Sequence, residues 1–142
     1  MKTKILLIYL VTLTLLACIT NYDDDNVQRS RIADRLKMVE EAFNWSTTDS
    51  IMNNYHPDFL HFGDDFHTQK IIWNEIKIFF PRMDIEILDI EIIGDYAIAS
   101  FLLNYWDNTE ARNTFPEPES FGYMSYFIYD RGEWWIYGNQ KK

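Results

Sequence analysis

The chain has 142 residues, of which 13 are basic and 22 acidic, giving a net charge of −9; 17% of residues are aromatic and one is cysteine. An acidic chain without a basic stripe repels phosphate backbones, which argues against a nucleic-acid partner. A single cysteine excludes an internal disulfide and a zinc–thiolate site, so an apolar core must hold together what the length suits, one domain of ordinary size.

The chain opens with Lys2 and Lys4, then an apolar run from Ile5 to Leu16. That run is too short to span a bilayer as a helix, which takes roughly 20 residues. A positive start, a short apolar stretch and the small residue Ala17 are the three parts of an export signal. Leu15-Leu16-Ala17-Cys18 resembles the lipobox of bacterial lipoproteins. The resemblance implies that residues 1–17 are a signal peptide removed before Cys18, and that Cys18 is acylated on its sulfur and its new amine. It places the protein in the bacterial cell envelope, at the outer membrane, periplasmic or surface-exposed, with the lipid bilayer as partner. Each buried acyl methylene contributes about 0.8 kcal/mol, so such an anchor is permanent. The competing reading is an ordinary secretory signal that leaves a free thiol. Residues 18–26 lack apolar periodicity and read as a tether. Within them Asp23-Asp24-Asp25 resembles the surface-export signal of Bacteroidetes lipoproteins, although a charge run is also the composition of a plain solvated linker.

From Val27 a helical period begins, with Ile32, Leu36, Val39, Ala42 and Phe43 on one face. Thr48 or Asp49 is expected to cap a short second helix with Ile51, Met52 and Tyr55 inward, stopped by Pro57. Asp58–Phe62 reads as a strand, Gly63-Asp64-Asp65 as a turn, and Phe66-His67 as the returning strand. Thr68 is expected to cap a third helix whose inward stripe is Ile71, Ile72, Glu75, Ile76, Phe79 and Phe80, with Trp73 near its edge. After Pro81 the period becomes two: Ile85 and Ile87, then Leu88, Ile90 and Ile92. The parity flips between Ile87 and Leu88, the mark of a β-bulge in a long strand. Gly94-Asp95 turns into Tyr96–Asp107, apolar on both faces and so read as a central, doubly covered strand. Residues 108–120 read as a loop or frayed hairpin end, and Phe121–Tyr129 with Glu133–Asn139 as a closing hairpin around Asp130-Arg131-Gly132. Repeats and Gly-rich phosphate loops are absent, and no motif calls for a cofactor.

Helices followed by a bent antiparallel sheet give an α+β order. Asp49-x-Ile51, Tyr55-His56-Pro57-Asp58-Phe59, Gly94-Asp95-x-Ala97 and Gly132-Glu133-Trp134-x-Ile136, in this order and spacing, resemble the SnoaL-like branch of the nuclear transport factor 2-like superfamily. The resemblance implies that residues 27–142 form a cone, a strongly curved sheet wrapped round helices with a pocket at its open end. The superfamily includes steroid isomerases, polyketide cyclases, dehydratases and non-catalytic binders. The isomerases' two oxyanion donors would fall near Val39 and Ser125, and their base at Gly63 or Asp64. Valine cannot donate, serine is a weak stand-in, and Asp is favoured in a turn for backbone reasons. The histidines that end the last strand in many SnoaL-like proteins are replaced here by Gly138, Asn139 and Gln140.

Two candidate chemistries remain. His61 and His67 would be cross-strand neighbours if the hairpin turned at Asp64; with Asp58 or Asp65 they carry the donor types of a transition-metal site, or they are two hydrogen-bonded histidines flanking a turn, and no metal is assigned. His61 paired with Asp64 or Asp107 would make a general base. The aromatics suit a pocket wall, so Tyr55, Phe59, His61, Trp73, Trp106, Tyr123, Ser125 and Phe127 are the candidate ligand-binding residues for a small apolar ligand. Phe121, Tyr123, Ser125, Phe127 and Tyr129 share one strand face, and the resemblance, which implies a pocket-facing Ser125, turns that face inward. It also implies core positions for Trp134 and Ile136, which leaves Trp135 and Tyr137 on an outer face that in this fold pairs with a second copy of the chain as a homodimer. The sequence therefore reads as a lipid-anchored binding or accessory module. An enzyme using His61 and a protein-interaction subunit are the alternatives.

Overall fold

The computed structural model describes the backbone of residues 2–142 and the side chains of residues 24–142. Cys18, the export signal and Asp23 lie outside the residues whose side chains are described. The first helix, α1, is Lys2–Trp45, and it already includes Asp24, Asp25 and Asn26, which the sequence reads as tether. Its stripe is the expected one: Ile32, Leu36, Val39, Ala42 and Phe43 are all buried. Helix α2, Thr48–Met52, is capped by Thr47, whose hydroxyl accepts from Ser50 N–H. Among the described residues no helix is long and apolar enough to cross a membrane.

Strands β1, Leu60–His61, and β2, Asp64–Asp65, form a small hairpin. Its turn is Phe62-Gly63, both at positive φ, so His61 pairs with Asp64 and Leu60 with Asp65. The expected turn was one residue later. The reason is that Asp65 is committed elsewhere: it caps α3, Phe66–Phe79, by accepting from Thr68 N–H at 2.8 Å. Phe66 and His67 are therefore helical, not a returning strand. Helix α3 is also rotated from its expected stripe. Gln69 and Trp73 are buried, whereas Ile71 and Phe79 are exposed.

The main sheet runs β3–β4–β6–β7, from β3 (Arg82–Ile93), β4 (Tyr96–Trp106), β6 (Tyr126–Asp130) and β7 (Glu133–Ile136). The register of β3 on β4 shifts between Ile87 and Asp89. Leu88 is the extra residue, and it points outward while Ile90 returns to the core. This is the expected bulge, and it bends the sheet. Strand β5, Arg112–Glu117, pairs with the second half of β4, and β6 pairs with the first half. The segment read as a loop is thus a strand, since its Pro116 occupies a sheet edge where a missing N–H costs nothing. Handing β4 from one neighbour to another lets the sheet curl. The inner face of β4 is buried through Ala97, Ala99, Phe101, Leu103 and Tyr105, while the outer face is only partly covered. The segment beside Tyr55 extends the edge of the sheet through a parallel bridge to Ile136.

The result is α+β, helices held inside a strongly curled antiparallel sheet. One reciprocal clamp seats α1: the Asn44 side chain donates to Met83 O and accepts from Met83 N, each at 2.8 Å. Asn44→Ala leaves both backbone groups without partners. It should cost about 2 kcal/mol in urea denaturation with an unchanged slope.

Candidate functional site

Rings fill the cone. Trp73 of α3 is fully buried and meets Phe43 of α1 at 5.8 Å and Tyr123 at 5.4 Å between centroids. Its indole N–H donates to the Tyr55 hydroxyl at 3.0 Å, and the Tyr105 and Tyr123 hydroxyls bond each other at 3.1 Å. Burial pushes all three phenols up, so each stays protonated.

Between β5 and β6 the chain turns through residues 118–125 around one carboxylate. Glu117 is 3% exposed, and its oxygens accept from the N–H groups of Phe121 and Gly122. Burial raises its pKa, partly offset by those N–H donors. Its charge also reaches the tyrosines, raising Tyr55, Tyr105 and Tyr123 further. Glu117 is therefore the acidic group of the cone interior. Sequence reasoning missed it because it lay in a segment read as a loop or frayed hairpin end, whose sequence Arg112-Asn113-Thr114-Phe115-Pro116-Glu117 has no apolar alternation to mark a strand.

His61 is held on both sides. Asn139 N–H donates to Nδ1 at 3.3 Å, and Nε2 bonds the Phe121 carbonyl at 2.8 Å. These partners fix the neutral tautomer with its proton on Nε2. Burial lowers its pKa. Nδ1 already accepts from the Asn139 N–H, so His61 would have to give up that bond before it could take a proton as the general base that the sequence suggests. Asp64 faces it across the hairpin and lines the same cleft, but Asp107 is spent on its own turn, accepting from Thr109 and Ala111. His61 and His67 do not meet, since one is in β1 and the other in α3. Among the described residues no group of three or more His, Cys, Asp or Glu side chains is placed to hold a metal.

At the mouth, a cleft of about 320 Å³ is lined by Phe62, Gln69, Ile72, Ser120, Phe121 and Tyr123, together with His61 and Asp64. Gln69 is 1% exposed and its Nε2 has no partner. Of the candidate ligand-binding residues, only His61 and Tyr123 line this cleft. Tyr55, Phe59, Trp73 and Phe127 are core. Ser125 is also buried rather than on the wall, and its Oγ lacks a partner. Trp106 lies on the outer face under the Arg82 guanidinium, 4.3 Å from its ring centroid, because it alternates with Tyr105. Phe121, expected inward, is 42% exposed, since residues 121–125 are turns where strand parity does not hold.

A larger cleft of about 880 Å³ lies outside the cone, between the α2–β1 segment, the start of α3 and the β6–β7 turn, and Tyr55, His56, Asp130 and Trp135 are on its wall. There His56 Nε2 approaches Asp130 at 3.3 Å, while Nδ1 accepts from Asp58 N–H at 3.1 Å. Trp135 and Tyr137 are half-buried within the chain: Arg35 stacks 4.8 Å from the Trp135 ring, and Tyr137 packs edge-on to His56 at 5.3 Å.

The curled sheet is that of nuclear transport factor 2-like proteins. Among solved structures, the chain is similar to Bd1075 of Bdellovibrio bacteriovorus, with a TM-score of 0.55 and 11% identity, over 75% of this chain but 38% of that one. It is similar to IdmH, a putative polyketide cyclase from Streptomyces antibioticus, with a TM-score of 0.52 and 17% identity over 76% of this chain and 88% of IdmH. It is also similar to a hypothetical protein of ketosteroid isomerase-like fold from Catenulispora acidiphila, solved in complex with trimethylamine, with a TM-score of 0.51 and 10% identity over 73% and 80% of the two chains. No family model and no curated protein matches the sequence. At these identities the likeness establishes the fold.

Glu117 binds protons more readily in the folded chain than in the unfolded one. Its contribution is complete below the ordinary value of 4.5 and is lost as pH rises through the raised folded value. Glu117→Gln removes this dependence, so the denaturation midpoint of the variant should stay flatter than that of the parent as pH rises above the carboxylate range.

Proposed function

We propose that this chain is a lipid-anchored envelope protein whose domain binds a small, largely apolar molecule at the mouth of the cone. The observation that carries the reading is the mouth cleft itself. Phe62, Ile72 and Phe121 give it apolar walls and Gln69 brings an uncommitted amide donor, while its one imidazole is engaged at both nitrogens. That combination suits holding a molecule better than transferring its protons. By their descriptions, two neighbours of the same fold are associated with small organic molecules, one as a putative polyketide cyclase and one as a trimethylamine complex. Anchoring rests on Lys2, Lys4, the apolar run and Ala17-Cys18.

A second reading is favoured by Glu117. A buried carboxylate with a raised pKa, whose charge is felt by three buried tyrosines, has the chemistry of a base in a phenol-lined interior. In an enzyme of this architecture Glu117, not His61, would take the proton from an apolar lyase, isomerase or hydrolase substrate. Self-association through the outer face bearing Trp135 and Tyr137 is a third proposal, supported by the exposed Tyr96 ring 6.5 Å from that of Tyr137.

Ile72→Trp should fill the cleft and abolish the thermal shift produced by any planar apolar compound that stabilises the parent. Gln69→Leu should weaken the same compound about tenfold if its acceptor oxygen takes the free amide N–H. Unchanged binding in both variants, or turnover that is lost in Glu117→Gln, would move the assignment to another cleft or to an enzyme. Cys18→Ala should free the protein from membranes and end fatty-acid labelling; membrane retention without label would sink the anchor.

A further inference from the structure

We infer that His61 is a pH-operated latch: neutral, it clasps the C-terminal segment 137–142 against the mouth hairpin, and protonation opens that clasp. Three contacts meet at Asn139. Its N–H donates to His61 Nδ1, and its side-chain oxygen accepts from Phe62 N at 3.2 Å and Lys141 N at 3.1 Å. Around this hub Gln140 N donates to Leu60 O and Gly63 N to Lys141 O, each at 2.9 Å. The segment and the hairpin are so close that a Cβ at Gly138 would overlap the Leu60 carbonyl.

A proton arriving at His61 can only add to Nδ1, because Nε2 already carries one. The acceptor then becomes a donor facing the Asn139 N–H, and the bond is replaced by a repulsive contact. On the other edge Nε2–H still donates to Phe121 O, now as a charge-assisted bond. The latch therefore opens on one side: the hairpin keeps its hold on the 118–125 loop and lets go of the C-terminal segment.

Among the surrounding charges Asp64, the cross-strand partner from β2, favours the imidazolium. Lys141, on the departing segment, directs its ammonium to the Phe62 ring at 6.0 Å, and Lys142 is exposed. On the 118–125 side Glu117 is engaged by backbone N–H groups and Glu119 is exposed. From β6, Tyr126 offers only its ring, 5.8 Å away. The other histidines are differently placed. His56 packs on the Tyr137 ring, but neither of its ring nitrogens bonds the segment: Nε2 lies 3.3 Å from Asp130 and Nδ1 accepts from Asp58 N–H; His67 is exposed. Because the hairpin is a wall of the mouth cleft, opening the latch loosens that cleft; only this consequence rests on the cleft being the ligand site.

Hydrogen–deuterium exchange of the full chain in detergent micelles reads the latch without any ligand. Corrected for intrinsic rates, the 137–142 segment should exchange about tenfold faster near pH 5 than near pH 7.5, a range the imidazole spans. His61→Asn keeps an acceptor at the Nδ1 position but cannot be protonated, so it should erase the step, while His56→Asn and His67→Asn should retain it. In the unmodified chain the midpoint of the step should coincide with the His61 titration read by NMR, which guards against a variant that fails to fold. A missing step, a step that survives in His61→Asn, or midpoints about a full pH unit apart overturns the latch. A chain that shows the step yet binds nothing at the mouth upholds the latch and overturns the binding reading alone.

Discussion

Seating Trp73 is the constraint on which the rest of this structure depends. A curled sheet leaves a tapering interior that aliphatic side chains alone would fill poorly, and the indole occupies its centre with no exposure. Its N–H would be costly to bury without a partner, and Tyr55 supplies one from the segment after α2. That single bond ties α3 to the stretch that extends the edge of the sheet, and the ring contacts to Phe43 and Tyr123 tie it to α1 and to the turn before β6. Orienting Trp73 inward also rotates α3, which turns Gln69 into the mouth and leaves Ile71 and Phe79 wet. The shape of the candidate site follows from how one large side chain is accommodated.

Around that centre the two buried ionisable groups beside residues 121–122 are satisfied by backbone rather than by other side chains. Glu117 takes N–H groups from its own turn, and His61 takes one N–H and one carbonyl from two distant segments. These two groups titrate with opposite consequences. A buried acid with a raised pKa is stabilising in its protonated form and weakens the fold as pH rises. A buried imidazole with a lowered pKa weakens the fold as pH falls below its ordinary value of 6.5. Both lie close to residues 121–122, so this part of the fold responds to pH from both sides of neutrality.

Periodicity was legible where one element faces one environment. The α1 stripe appears in the sequence at helical spacing, because a long helix against a sheet buries a single face throughout. The bulge at Leu88 appears as a parity flip, because inserting one residue moves every later side chain to the opposite face. Both signals are local. The register of the β1–β2 hairpin was not legible, because Gly63-Asp64-Asp65 has turn composition whereas a bulky Phe62 at positive φ does not, and the choice is made by Asp65 capping α3. Strand β5 escaped notice because its proline-bearing sequence is tolerated only at the edge position that β4 offers it.

Composition and order by themselves determined an acidic, aromatic-rich α+β domain, with helices ahead of a bent antiparallel sheet, since charge, hydrophobic period and turn residues are properties of adjacent positions. Tertiary structure alone decided which of the many rings are core and which reach a surface. It also decided that His61 is engaged at both nitrogens and that Glu117 is the buried acid. Each of these depends on a partner far along the chain: Asn139 lies 78 residues from His61, and Phe121 lies 60. A side chain's type declares what it can donate or accept. Only the folded chain sets which group stands opposite it, and whether water is excluded from the pair.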